Sequence, residues 1–311
     1  MNLSGSFCAL ATPFRATNDA LDLEAFARLI EYQVDSATRG LVVAGSTGEA
    51  AALSPEEFVT LIETAVRCSA GRVPVIAGTG LQSTRKTIEH TRLAASAGAQ
   101  AALVVAPAYV RPTQEGMYRH FSEVAEHGGL PVILYNVPSR TACDMLPDVV
   151  SRLQSRAGII GIKEACPDES RMRDLLSIKR DSFAVLSGDD PTCARAILAG
   201  AAGVVSVTAN IAPAAMQALC ESAAGNDVEG TARHQSILHD LFELLAVEPN
   251  PIPLKWCLHR LGFGADRLRL PLLPMSASYH AQAERVLNES GLLEHLARRV
   301  DSSPTTTETI K

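Results

Sequence analysis

The sequence predicts an α/β fold, a closed (β/α)8 barrel of the TIM type with a C-terminal helical appendage. Three observations carry this. Short apolar runs alternate with amphipathic stretches at a spacing of roughly 30 residues, the length of a strand-and-helix unit. Eight such units fit in order before residue 225, and strict alternation of that number closes a parallel sheet on itself with the helices outside. No GxGxxG follows any of the runs, which argues against an open doubly wound sheet.

The first run, residues 7–11, is closed by Thr12 and Pro13, and residues 23–37 then show helical spacing behind Asp22 as a cap. The second, residues 40–44, opens into Gly45, Ser46, Thr47, Gly48 and Glu49. Ser54, Pro55, Glu56 and Glu57 make a helix start: a capping hydroxyl, a proline in the first turn and acids at the positive end of the dipole. Runs at 73–77, 101–106 and 131–136 precede helices expected from Ser83, from Gln114 and over 146–153. Runs at 159–163, 183–187 and 203–207 feed helices from about Asp168, from Asp190 and from Pro213. The catalytic barrel is therefore placed at 1–225. A helical domain at 226–298 follows, with helices over 234–247, 253–261 and 276–296. The polar, Thr-rich stretch 299–311 is expected to be a disordered tail.

A net charge of −6 and the lack of basic clusters interleaved with aromatics exclude a general nucleic-acid binder, leaving small molecules or protein partners. The N-terminal stretch has no basic region and only a brief apolar run, so neither a signal peptide nor a membrane span is expected. Seven cysteines scattered singly read as reduced thiols in the cytoplasm. The histidines form no HExxH or His-x-His, so neither a metal nor another cofactor is expected.

In a βα barrel the strand C-termini build the active-site face. There the segment AGIIGIKEA, residues 157–165, delivers Lys163 from an apolar wall. Burial favours the neutral form of a lysine, and a neutral amine can add to a ketone to form a Schiff base. The bland reading is a lysine paired in a partly buried network, though not with Glu164, which a strand turns to the opposite face. Tyr135 closes the fifth run and reads as a general acid and base, relayed by Thr47 and Tyr109, or as an interior aromatic with one hydroxyl partner. Residues 45–49 offer a cradle for a carboxylate or an ordinary glycine-rich turn; a phosphate loop would need the missing lysine of GxxxxGK[ST]. Arg140 reads as a bidentate grip on a second carboxylate or as a solvated loop arginine. Gly188 is given a close-approach role, where a side chain would collide with a bound ligand, and Asp190 that of a helix N-cap.

Seven ordered motifs now join these residues: GSTGEAAAL (45–53), IAGTG (76–80), LYNVPSRTACD (134–144), GIKEA (161–165), LSGDD (186–190), GVVSVTAN (203–210) and VEPNPIPLKW (247–256). On them the chain resembles the class I, Schiff-base-forming aldolases of the dihydrodipicolinate synthase and N-acetylneuraminate lyase group, the synthase branch above all. The resemblance implies that Lys163 condenses with pyruvate and that the enamine attacks aspartate 4-semialdehyde, in the diaminopimelate route to lysine. It implies that Tyr135 carries protons through Thr47 to Tyr109, a tyrosine that in this group enters the neighbouring subunit's site, so a homodimer or a dimer-of-dimers tetramer is expected. Ser46 and Thr47 would hold pyruvate's carboxylate and Arg140 that of the semialdehyde. Val205 matches the position whose backbone carbonyl lies beside the lysine.

The departures concern regulation. Where lysine-inhibited relatives of the group carry two histidines, an asparagine, an acid and a tyrosine, this chain has Pro55, Phe58, Gln82, Lys86 and Ala108. Exchanging the acid for a cation reverses the sign of the contact to the effector's ammonium, so weak or absent inhibition by lysine is expected. A pyruvate aldolase acting on another aldehyde is the nearest alternative. A catalytically silent barrel and a pyridoxal-phosphate enzyme are further ones, the last lacking a dedicated phosphate site.

Overall fold

The structure, a computed structural model, describes residues 1–293. Strands β1 (Gly5–Ala9), β2 (Gly40–Val43), β3 (Val75–Gly78), β4 (Ala101–Val105), β5 (Val132–Asn136), β6 (Ile159–Glu164), β7 (Ala184–Ser187) and β8 (Gly203–Ser206) close into one parallel barrel. Closure comes from β1, which pairs with both β2 and β8. Outside run α1 (Leu23–Asp35), α2 (Pro55–Ser69), α3 (Thr84–Ser96), α4 (Gln114–His127), α5 (Pro138–Thr141), α6 (Pro147–Leu153), α7 (Glu169–Ile178), α8 (Cys193–Leu198) and α9 (Pro213–Ala224). Then follow α10 (Val228–Leu245), α11 (Ile252–Arg260) and α12 (His280–Glu289). Among the described residues no helix is long and apolar enough to cross a membrane.

Several boundaries move for local reasons. Pro74 has no N–H to give a ladder, so β3 starts after it rather than at residue 73. The first strand begins at Gly5, because Gly5 and Ser6 pair with Gly203 and Val204 before the apolar run starts. The first turns of α10 are polar, which hid its start six residues ahead of residue 234; Asp227 caps it by accepting from Gly230 N. The segment expected as one helix from residue 276 is a short 3-10 turn, Ala277–Tyr279, leading into α12. The tail at 299–311 and the last residues of the 226–298 appendage lie outside the described residues.

Alternation along the strands sorts the core into two layers. Phe7, Ile76, Leu103, Ile133, Leu186 and Val205 fill the barrel interior, while the larger cluster packs between strands and helices. At β6 the register slips: Val132 pairs with Ile159 but Ile133 with Gly161, leaving Ile160 as an extra residue. Ile160 and Lys163, three positions apart, would otherwise face opposite sides of the sheet. With the slip Ile160 packs against the inner cluster, Ile162 packs among the outer helices, and Lys163 reaches the pocket inside the barrel.

Candidate active site

A pocket of about 270 Å³ opens at the C-terminal end of the barrel, between the strand ends and the end of α10 with the turn that follows it. Lys163 is only 5 % exposed there. It is the register partner of Tyr135, and its Nζ lies 4.5 Å from the centre of the Tyr135 ring. Glu164 turns the other way, fully buried behind the strand. Its carboxylate accepts from Asn136 Nδ2 at 3.0 Å and from Cys166 N at 2.8 Å, with Arg171 Nη1 at 3.4 Å. Burial pushes that carboxyl up, against the opposing pull of Asn136, Cys166 and Arg171. Arg171 in turn grips Asp144 with two bonds of 2.7 Å, holding the Asp144 carboxyl below the usual carboxylate range. Lys163 thus stands outside this acid network, on the pocket side of the sheet.

Ser46 and Thr47 line the opposite wall. The loop that carries them is a tight turn in which the N–H groups of Gly48, Glu49 and Ala50 bond to Gly45 and Ser46 carbonyls. Those three donors are spent within the turn, so the expected cradle narrows to Ser46 and Thr47. Behind it, Glu49 adopts a left-handed backbone (φ 54°) and meets Lys255 at 2.8 Å in a fully buried ion pair. Lys255 also donates to Thr12 O at 2.6 Å. Burial lowers the Lys255 ammonium's pKa, and Glu49 opposes that shift.

The loop after β5 folds into the short helix α5, absent from the sequence expectation, and Arg140 on it lines the pocket mouth. Its Nη2 donates to Asn250 O at 3.0 Å, while Asn250 Nδ2 donates to Thr47 Oγ1, also at 3.0 Å. The residue reading missed Asn250 and Lys255. Their one sequence signal was membership of the 247–256 motif, which gave no role.

Gly188 lines the pocket and does lie at a close approach, since an added Cβ would stand 2.7 Å from Lys163 Cε. Val205 belongs to the inner cluster and does not line the pocket, where Val207 and Thr208 appear instead. Asp190 is not a helix cap. Its Oδ2 accepts from Val207 N, Thr208 N and Thr208 Oγ1, tying the end of β7 to the turn after β8, and burial pushes its carboxyl up. Asp189 instead accepts from Thr192 N and Oγ1 in the turn just ahead of α8. Tyr109 follows β4 with φ 73°, is 89 % exposed and does not line its own chain's pocket. Among the described residues no three His, Cys, Asp or Glu side chains cluster as a metal site.

Residues 2–290 match the model of the dihydrodipicolinate synthetase family. A 4-hydroxy-tetrahydrodipicolinate synthase of Stenotrophomonas maltophilia is 52 % identical over 297 residues, which cover 96 % of this chain and 99 % of the relative. Among solved structures, a chloride-inhibited dihydrodipicolinate synthase from Acinetobacter baumannii, complexed with pyruvate, is 41 % identical with a TM-score of 0.91, covering 93 % of this chain and 99 % of its own. The dihydrodipicolinate synthase of Thermotoga maritima is 38 % identical with a TM-score of 0.92, covering 94 % and 100 %. With barrel, pocket and full-length similarity in accord, the chain belongs to the dihydrodipicolinate synthetase family.

Proposed function

We propose that this family member condenses pyruvate with L-aspartate 4-semialdehyde to 4-hydroxy-tetrahydrodipicolinate, through a Schiff base on Lys163. The observation that carries the reading is one buried amine beside a tyrosine ring, on a pocket floor faced by two hydroxyls and an arginine. The Lys163 amine adds to the pyruvate ketone and water leaves, giving an imine. Loss of a methyl proton makes the enamine, whose carbon attacks the aldehyde; the semialdehyde's own amine then displaces Lys163 and closes the ring. Ser46 and Thr47 hold the pyruvate carboxylate and Arg140 the second one. Gly188 leaves Lys163 its path, and Val205 takes the family position whose backbone carbonyl lies beside the lysine. Tyr135 passes protons to Thr47 and on to Tyr109, which is supplied by a second copy of the chain, in keeping with its 89 % exposure outside its own pocket. The active unit is then a homodimer, alone or paired into a tetramer. Seven free thiols suit a cytoplasmic setting.

Regulation by lysine is weak or absent in this reading. Phe58 is buried and stacks on His90 with ring centres 3.8 Å apart, so the position where relatives place a histidine is taken by an apolar ring. Titration with L-lysine decides this; inhibition at submillimolar concentration would contradict it. For the reaction, borohydride treatment with pyruvate should leave a reduced adduct on Lys163, and a coupled assay should show turnover with aspartate semialdehyde. Absence of the adduct, or preference for a sugar-acid substrate, would overturn the assignment.

A further inference from the structure

Asn250 reaches the pocket from the turn ahead of α11, 203 residues along the chain from Thr47. It makes two contacts there: Nδ2 donates to Thr47 Oγ1, and its carbonyl accepts from Arg140 Nη2. Its other amide atom, Oδ1, is buried with no partner. That asymmetry bears on which way the amide faces. Turning it over would let Oδ1 accept from Thr47 but would strand the NH2 group where Oδ1 now lies. An unpaired buried N–H is rarer than an under-satisfied carbonyl oxygen, so the present orientation is the cheaper one.

The orientation fixes the Thr47 hydroxyl. A hydroxyl has one proton to give and two lone pairs to receive with. Because Asn250 occupies one lone pair, the Thr47 proton must point away from Asn250, and the second lone pair is left to accept from another donor. We infer that Asn250 is a positioning residue for proton transfer: it turns the Thr47 proton away from itself, so that Thr47 can accept from Tyr135 while passing its own proton onward, and so sets the direction of the relay that forms the enamine. The segment is anchored close by, since Lys255, five residues further along, locks Glu49 at the end of the Thr47 loop. The C-terminal segment is therefore part of the site, though it touches none of the reacting atoms.

The inference rests on the Schiff-base reading above, and one experiment separates the two. In heavy water, with pyruvate alone, the enzyme should exchange the pyruvate methyl protons for deuterium through the imine and enamine. Neither the second substrate nor its Arg140 anchor enters that step. Asn250→Ala removes the donor but leaves the Thr47 proton free to turn. Asn250→Asp places a carboxylate that takes that proton for itself. Exchange by Asn250→Asp should be ~10-fold or more slower than by Asn250→Ala, with borohydride trapping of pyruvate retained by both variants. Equal exchange in the two variants, or faster exchange by the aspartate, would overturn the inference. Loss of trapping in both would also overturn it, since Asn250 would then act on Lys163 or on the fold. If the unaltered protein itself traps no pyruvate, it is the Schiff-base reading that fails.

Discussion

The Cβ that Gly188 lacks would stand 2.7 Å from Lys163 Cε and 3.0 Å from its Cγ, so the glycine is the space through which the lysine stem passes. Its backbone is not left-handed, and the requirement is therefore one of volume alone. Cγ lies near the root of the side chain and cannot swing clear as a terminal atom can. Ala165 Cβ, at 2.9 Å, closes the other side.

Gly188→Ala should consequently displace the amine while leaving the barrel folded. Overpacking of this kind costs about 1–3 kcal/mol, and a misplacement near 1 Å at a reacting group costs ~100-fold in rate. The rate of borohydride adduct formation with pyruvate should fall far more than the midpoint of denaturant unfolding. A variant that traps pyruvate at the original rate would show that Lys163 has another route into the pocket.

Lys255 and Glu49 make a second relationship of the same rank, one of charge rather than volume. Both side chains are almost wholly buried, at 2 % and 1 % exposure. Removing one partner leaves the other charge without compensation, which costs about 3–5 kcal/mol, whereas replacing both by groups of similar volume is often close to neutral. Lys255→Met should lower the unfolding midpoint strongly, and adding Glu49→Gln should recover part of the loss. If the double variant is less stable than Lys255→Met, the pair is not the source of the coupling.

His120 gives the stability a pH dependence. Its imidazole is buried, Nδ1 lies 3.0 Å from Thr84 Oγ1, and Nε2 has no partner. Burial lowers its pKa from 6.5 to about 4. Between those values the unfolded chain takes up a proton that the folded one refuses, so this contribution is complete above pH 6.5 and is lost as the pH falls toward 4. The shift corresponds to roughly 3 kcal/mol at most. Unfolding curves of the parent and of His120→Leu should diverge in pH dependence across that window, the parent losing stability more steeply on acidification. Parallel curves would mean that His120 is protonated in the fold.

How far the sequence reached depends on the kind of relationship involved. Repeating apolar runs reveal a barrel, because their period is set by the sheet and its covering helices, and the strand ends then pick out Lys163, Tyr135 and the Ser46–Thr47 turn. The slip at Ile160 was invisible: it is a pairing between strands, and nothing in the run IIGIK marks which residue is extra. Asn250 was invisible for a related reason. An asparagine in a proline-rich turn reads as turn chemistry until the fold carries it across to Thr47. Asp190 looked like a cap because an acid ahead of a helix usually is one; its true partners lie on the next strand's turn. Local pattern thus gave the frame, while contacts made at long separation set the fine geometry.

Tyr109 tests the assembly. At 89 % exposure and outside the lining of its own pocket, its side chain adds little to the packing of a single chain. Tyr109→Phe should therefore leave unfolding unchanged and yet reduce turnover, if the hydroxyl serves a neighbour. Complementation makes this specific. Lys163→Ala has no nucleophile of its own but an intact Tyr109. Tyr109→Phe has an intact nucleophile but no hydroxyl to lend. When the two inactive variants are mixed under conditions that exchange subunits, a mixed dimer holds one complete site, built from Lys163 of one chain and Tyr109 of the other. Activity should rise on mixing to about a quarter of the parent's, since half of the dimers are mixed and each of those has one good site of two. No recovery, in a mixture shown by native mass spectrometry to contain mixed dimers, would place the proton relay within a single chain.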